Sequence, residues 1–118
     1  IELFEPNFKR NYIHVKDVAR VIMFSIENFR KLRSNIFNIG LETANLSKIE
    51  LCREIKKHHT KLKININEFT KDPDQRDYIV SNKKILSTGW KPRYSIEYGI
   101  KELIKCYKSL KISRNSNI

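Results

Sequence analysis

The sequence is 118 residues long, with 40% hydrophobic and 31% charged residues, the balance of one small soluble domain with a single core. No apolar run approaches the roughly 20 residues of a membrane helix, and Ile1 to Arg10 lack the basic-then-apolar layout of a signal peptide. The net charge of +11 admits nucleic acid, a membrane surface or an anionic small ligand, but the lysines are scattered over polar helix faces and turns, which argues against a dedicated nucleic-acid surface.

Taken in chain order, Ile1 to Phe4 reads as a short strand closed by the turn-prone Glu5-Pro6-Asn7. Arg10 to Val15 reads as a second extended run, with His14 packed inside it. From Val15 the period changes to helical. Val15, Val18, Ala19, Ile22, Ile26 and Phe29 fall on one face, and Asp17 suits the positive end of that helix. Ile36 to Gly40 reads as a buried strand ending at glycine.

The next helix carries clear local signals. Ser47 and Glu50 have the spacing of a capping box, Leu46 and Leu51 that of a hydrophobic staple, and Ile49, Cys52 and Ile55 supply an apolar face as far as about His58. Leu62 to Ile66 alternates like a strand with one wet face, and Tyr78-Ile79-Val80 is a further strand-like run. Ser81 is placed to cap a short helix through Leu86, which Gly89 stops. Trp90-Lys91-Pro92 makes a fixed turn with Trp90 as a core anchor, and Ser95 caps a last helix lined by Ile96, Ile100, Leu103, Ile104, Tyr107 and Leu110. The alternation argues an α/β fold, α+β in the piece alone, with a small mixed sheet and about four helices. Residues 1–112 form the domain, and residues 113–118 a disordered tail.

Several chemistries find no residues to carry them. The three glycines, Gly40, Gly89 and Gly99, make no phosphate-cradling loop, and no nucleophile, base and orienting group assemble. The chain therefore contains no catalytic residue and no cofactor-binding or metal-binding set. Cys52 and Cys106 are far apart and outside any C-x-x-C pair, so free thiols in a reducing cytosol are expected. His58 and His59 end a helix and receive no chemistry. The sequence opens on Ile1 without a start Met, and a longer natural chain is the expectation.

Two segments concentrate charge. In Phe8 to Ala19, the planar fork of Arg10 can hold phosphate oxygens, or it can pair with Glu5 or Asp17 as a surface arginine. In Lys71 to Tyr78, cations and carboxylates crowd a proline-containing loop: either a solvated, charge-balanced turn, or a rim with cations toward phosphate and Asp74 toward sugar hydroxyls.

Together these segments resemble the C-terminal half of the extended short-chain dehydrogenase/reductase family, which includes the nucleotide-sugar epimerases and dehydratases. The family carries R-D-[FY]-[IV]-[HY]-V-x-D-[VL]-A, and here Arg10-Asn11-Tyr12-Ile13-His14-Val15-Lys16-Asp17-Val18-Ala19 stands. Phe37-Asn38-Ile39-Gly40 is similar to its φ-N-φ-G strand, and Lys71-Asp72-Pro73-Asp74 to its R-x-G-D loop. Lys84, Thr88-Gly89-Trp90-Lys91-Pro92 and Ser95-Ile96-Glu97-Tyr98-Gly99-Ile100 resemble the runs that close the family's chain. The likeness extends from about Lys9 to Tyr107, in order and spacing.

The resemblance implies that Arg10 binds the diphosphate of a nucleotide sugar, that Lys71 stands for a second phosphate-binding arginine, and that Asp74 bonds the ribose. Arg76 is an extra cation able to share the role of Lys71. Two departures stand out. Asn11 replaces an aspartate and removes a charge that could orient Arg10, and Lys71 loses two-pronged binding. The resemblance also implies an N-terminal Rossmann domain in the full chain, carrying NAD or NADP and the catalytic Tyr-x-x-x-Lys. It implies a cytoplasmic, homodimeric parent, a fragment that is monomeric and not catalytic alone, and partners that include neither nucleic acid nor membrane. The alternative is a small basic nucleic-acid-binding or interaction domain.

Overall fold

The first helix owes its start to an imidazole. His14 has extended backbone angles, and its Nδ1 accepts the backbone N–H of Lys16 at 3.1 Å, so α1 (Val15–Glu27) begins directly behind it. The expected strand through Val15 is therefore cut short. The computed structural model of the chain describes residues 1–67, 69 and 76–110, and within them β2 (Lys9–Asn11) is three residues long. His14 is a helix cap, not a mid-strand residue. The one-turn helix α2 (Phe29–Leu32) follows α1 through Asn28, whose amide Nδ2 donates to Phe24 O.

The face of α1 that this chain covers is not the apolar stripe of its sequence. Asp17 and Val21 are buried, and Phe24 packs beside them on the same side. The stripe lies opposite at about 100° per residue, and Val15, Ile22, Ile26 and Phe29 are each more than half exposed. Val21, Ile85 and Trp90 form the core, with Ile13, Phe24, Phe37, Ile39 and Leu86 packed around it.

Among the described residues the sheet is two separate ladders. β1 (Glu2–Phe4) pairs in parallel with β4 (Asn65–Asn67), Leu3 opposite Ile66. β2 pairs antiparallel with β3 (Asn45–Ser47), Arg10 opposite Leu46 and Asn11 opposite Asn45. A 3₁₀ turn, Glu42–Ala44, leads into β3. β4 begins later than the alternation from Leu62 suggests, because Leu62 N–H turns back onto His59 O at 2.9 Å.

Residues 36–40 and 78–80 join neither ladder, contrary to expectation. Phe37 and Ile39 do reach the core, but Ile36 is 87% exposed. Extended backbone becomes strand only where a neighbour supplies the ladder, and no described residue supplies it here.

The helices follow their local signals closely. Ser47 caps α3 (Lys48–His58) with both halves of a capping box in place. α4 (Lys83–Leu86) is a single turn entered through Asn82, one residue later than the expected cap at Ser81. Gly89, at φ +99°, ends that stretch in a conformation L side chains resist, and Trp90 turns inward with 3% exposure. Ser95 then caps α5 (Ile96–Ser109) by accepting Tyr98 N–H at 3.1 Å. The small mixed α/β architecture thus stands, with five helices among the described residues. The expected tail, 113–118, lies outside the described residues.

Candidate functional site

Arg10 sits half-buried in the middle of β2, and the stretch 76–80 runs beside it. Two contacts with Lys9 bring them together. The backbone N–H of Lys9 donates to Asp77 Oδ1 at 2.7 Å, and Tyr78 N–H reaches Lys9 O at 3.5 Å. A third contact comes from β3. Asn45 donates Nδ2 to Val80 O at 3.1 Å and accepts Val80 N–H on Oδ1 at 2.9 Å.

Between these anchors lies Tyr78, with the Arg10 guanidinium carbon 5.3 Å from its ring centre. That is within cation–π reach and suits the flat face of a guanidinium. Arg10 Nη1 also donates to Lys9 O at 2.8 Å. Behind it, burial pushes the Tyr12 phenol above its usual range, against the downward pull of the Arg10 charge. Of the other residues singled out in the sequence, Arg76 is exposed at the start of this stretch. Lys71 and Asp74 lie outside the described residues.

The alternative pairing of Arg10 with Asp17 does not form. Asp17 is wholly buried and accepts Arg20 Nη1 at 2.5 Å and the backbone N–H groups of Arg93 and Tyr94 at 3.0 Å. Burial alone would push its carboxyl up, but the Tyr94 and Arg93 N–H groups and the Arg20 guanidinium outweigh that and hold it below the ordinary carboxylate value.

Asn11 also has a definite task. Its Nδ2 donates to Leu41 O at 2.9 Å and its Oδ1 accepts Leu41 N–H at 3.1 Å. A carboxylate there could accept but not donate. The amide lies so close to Gly40 that a Cβ at that position would stand 1.7 Å from Asn11 Oδ1, so only glycine fits.

On the far side of α1, His14 Nε2 bonds Glu102 Oε2 at 2.8 Å. With Nδ1 accepting from Lys16, Nε2 is the nitrogen that bears the proton. The ring packs tilted against Tyr94 and meets Tyr98 edge-on, with centroids at 4.8 and 5.6 Å. The Lys16 ammonium closes on the same carboxylate. Beside this cluster an apolar groove of about 730 Å³ runs between Leu51 and Ile55 of α3 and Ile100 and Leu103 of α5.

Asn45 carried no signal in the sequence, and Asp77 and Tyr78 stood out only as members of the charged Lys71 to Tyr78 segment, because their partners lie tens of residues away. Among the described residues no three His, Cys, Asp or Glu side chains gather as a metal site, and no helix is long and apolar enough to cross a membrane.

A guanidinium on a short strand, beside an anchored extended segment, has the chemistry to hold an anion. No family profile matches the chain. Among curated proteins, it is 28% identical over 96 residues to the CDP-paratose 2-epimerase of Salmonella typhi, covering 80% of this chain and 28% of that one. It is 30% identical over 105 residues to the dTDP-L-rhamnose 4-epimerase of Burkholderia thailandensis, covering 87% of this chain and 28% of that one. The chain thus spans little more than a quarter of these relatives. Among solved structures, the GDP-mannoheptose C4 reductase of Campylobacter jejuni, with NADP bound, superposes with a TM-score of 0.73 at 27% identity, over 92% of this chain and 34% of the reductase. The homologues of the chain are thus nucleotide-sugar epimerases, and its neighbours among solved structures are nucleotide-sugar enzymes of the extended short-chain dehydrogenase/reductase family.

Proposed function

We propose that the chain is the C-terminal, substrate-binding part of an NAD(P)-dependent nucleotide-sugar epimerase, dehydratase or reductase. In this reading Arg10 holds the diphosphate of the substrate, Arg76 and Lys71 assist it, and Asp74 bonds the ribose. The observation that carries the proposal is the anchoring of the 76–80 stretch alongside Arg10 by Asp77 and Asn45. This brings the described end of the second charged segment, residues 76–78, beside the strand that carries Arg10. A guanidinium fork offers a diphosphate two parallel charge-assisted bonds, which a lysine cannot match.

The partner within the full protein is an N-terminal Rossmann domain. Two features support this. The stripe Val15, Ile22, Ile26 and Phe29 on α1 is exposed in this chain, and the extended residues 36–40 pair with no described strand. Both are surfaces that a neighbouring sheet and its helices would cover. The cofactor belongs to that domain, since Gly40, Gly89 and Gly99 are too far apart for a dinucleotide-binding turn. Bound there, NAD(P) exchanges a hydride with the sugar. The residues of this chain bind and orient the substrate and help exclude water. The free thiols Cys52 and Cys106 suit a cytoplasmic setting, and the parent is taken as a homodimer.

The test is steady-state kinetics of the full-length protein with its nucleotide sugar. Arg10→Ala removes charge-assisted bonds that correspond to a rise in KM of about 10- to 100-fold, with a smaller change in kcat. Unchanged kinetics would remove Arg10 from the substrate site.

A further inference from the structure

The stretch that faces Arg10 is held without a β-ladder. From residue 77 to 80 one backbone contact reaches β2, the long Tyr78 N–H to Lys9 O bond of 3.5 Å. The rest of the described fixing comes from side chains: Asp77 on the Lys9 N–H, and Asn45 on both the N–H and the C=O of Val80. A planar amide used in this way reproduces, with one side chain, the paired donor and acceptor that a neighbouring strand would offer. Asn45 is itself placed by the β2–β3 ladder, opposite Asn11, whose amide grips Leu41 in the same manner. Two amides in register thus fasten two different extended segments to one small ladder.

Tyr78 lies between the two anchor points. Its ring is 5.3 Å from the Arg10 guanidinium carbon, and its side chain is not needed for burial, being 41% exposed. An aromatic face against a guanidinium sets the plane of the fork and therefore the direction of its N–H edge.

We infer that Asn45 and Tyr78 are positioning residues of the diphosphate site. Asn45 fixes the backbone of the 76–80 stretch through Val80, and Tyr78, so placed, orients the guanidinium of Arg10. The inference rests on the reading of Arg10 as the diphosphate ligand. Neither side chain touches substrate in this account, and both act through Arg10.

The experiment is calorimetric titration of the full-length protein with uridine, cytidine, guanosine and thymidine diphosphates in turn, followed by the variants on whichever binds tightest. Asn45→Ala is expected to weaken binding about tenfold, and Tyr78→Leu about three- to fivefold. Each effect should vanish when Arg10→Ala is already present, which loss of stability alone would not produce. If Asn45→Ala fails to fold, Asn45→Asp, which keeps the bond from Val80 N–H and loses only the donor, replaces it beside Tyr78→Leu. Wild-type affinity in both positioning variants, or equal losses with and without Arg10, overturns the inference and leaves the diphosphate site standing. No effect of Arg10→Ala, or no diphosphate bound by the wild type, overturns the diphosphate site and the inference with it.

Discussion

The carboxylate of Asp17 accepts the backbone N–H of Tyr94 at 3.0 Å, across 77 residues of chain. The same carboxylate takes Arg93 N–H and the Arg20 guanidinium, so the first turn of α1 holds the segment that leads into α5. Replacing it leaves two part-buried N–H donors without this acceptor and removes the carboxylate partner of Arg20. Asp17→Ala is expected to cost about 3 kcal/mol in urea unfolding of the full-length protein. Asp17→Asn should cost less, since one oxygen remains to accept.

That carboxyl also sets a pH dependence. Its folded value lies below the ordinary 3.8, so folding favours the charged form. The stabilisation is complete above the unfolded carboxylate range and is lost as the pH falls through the folded value. Unfolding midpoints should therefore drop in acid, and Asp17→Asn should flatten that part of the profile.

The capping box offers a second, smaller test. Ser47 Oγ accepts Glu50 N–H at 3.3 Å, and Glu50 Oε2 accepts Ser47 N–H at 2.7 Å. The Ser47 N–H, with the hydroxyl, holds the Glu50 carboxyl below its usual range. Ser47→Ala should cost about 1 kcal/mol, read as a lowered unfolding midpoint.

Gly40 tests the Asn11 clamp by collision. Gly40→Ala drives a methyl into the Asn11 amide and should cost about 2 kcal/mol. In an Asn11→Ala background only the Asn82 amide, at 3.0 Å, stays close to that methyl, and most of the cost should be gone.

Glu102 joins α5 to the start of α1. The Lys16 ammonium first, and then the His14 imidazole, hold its carboxyl low. Glu102→Gln should lower the unfolding midpoint modestly. The exposed Lys16 share of that loss should shrink in salt of about 1 M, where the screening length is about 3 Å.

The sequence was readable where the signal is local. Ser47 with Glu50, Ser95 and Gly89 each act within a few residues, and the structure places α3, α5 and the stop after α4 where they indicate. His14 misled because Tyr12, Ile13 and Val15 favour strand, and an imidazole is not among the preferred N-caps. Residues 36–40 and 78–80 have strand propensity, yet a ladder depends on a neighbour that propensity cannot supply. In α1 the period correctly gave a helix. It could not tell that this chain covers Asp17, Val21 and Phe24 while leaving the opposite stripe open. Of the candidate site residues singled out in the sequence, Arg10 and Arg76 fall among the described residues. The clamps of Asn45 on Val80 and Asn11 on Leu41 span 35 and 30 residues and leave no trace in local spacing.

Whether Arg10 holds a diphosphate is tested most directly by comparing a nucleoside diphosphate with its parent nucleoside. Both are titrated into the full-length protein and into its Arg10→Ala variant. The variant should lose about 10- to 100-fold in affinity for the diphosphate while its affinity for the nucleoside stays the same. Equal diphosphate affinity in the two proteins would contradict that role for Arg10.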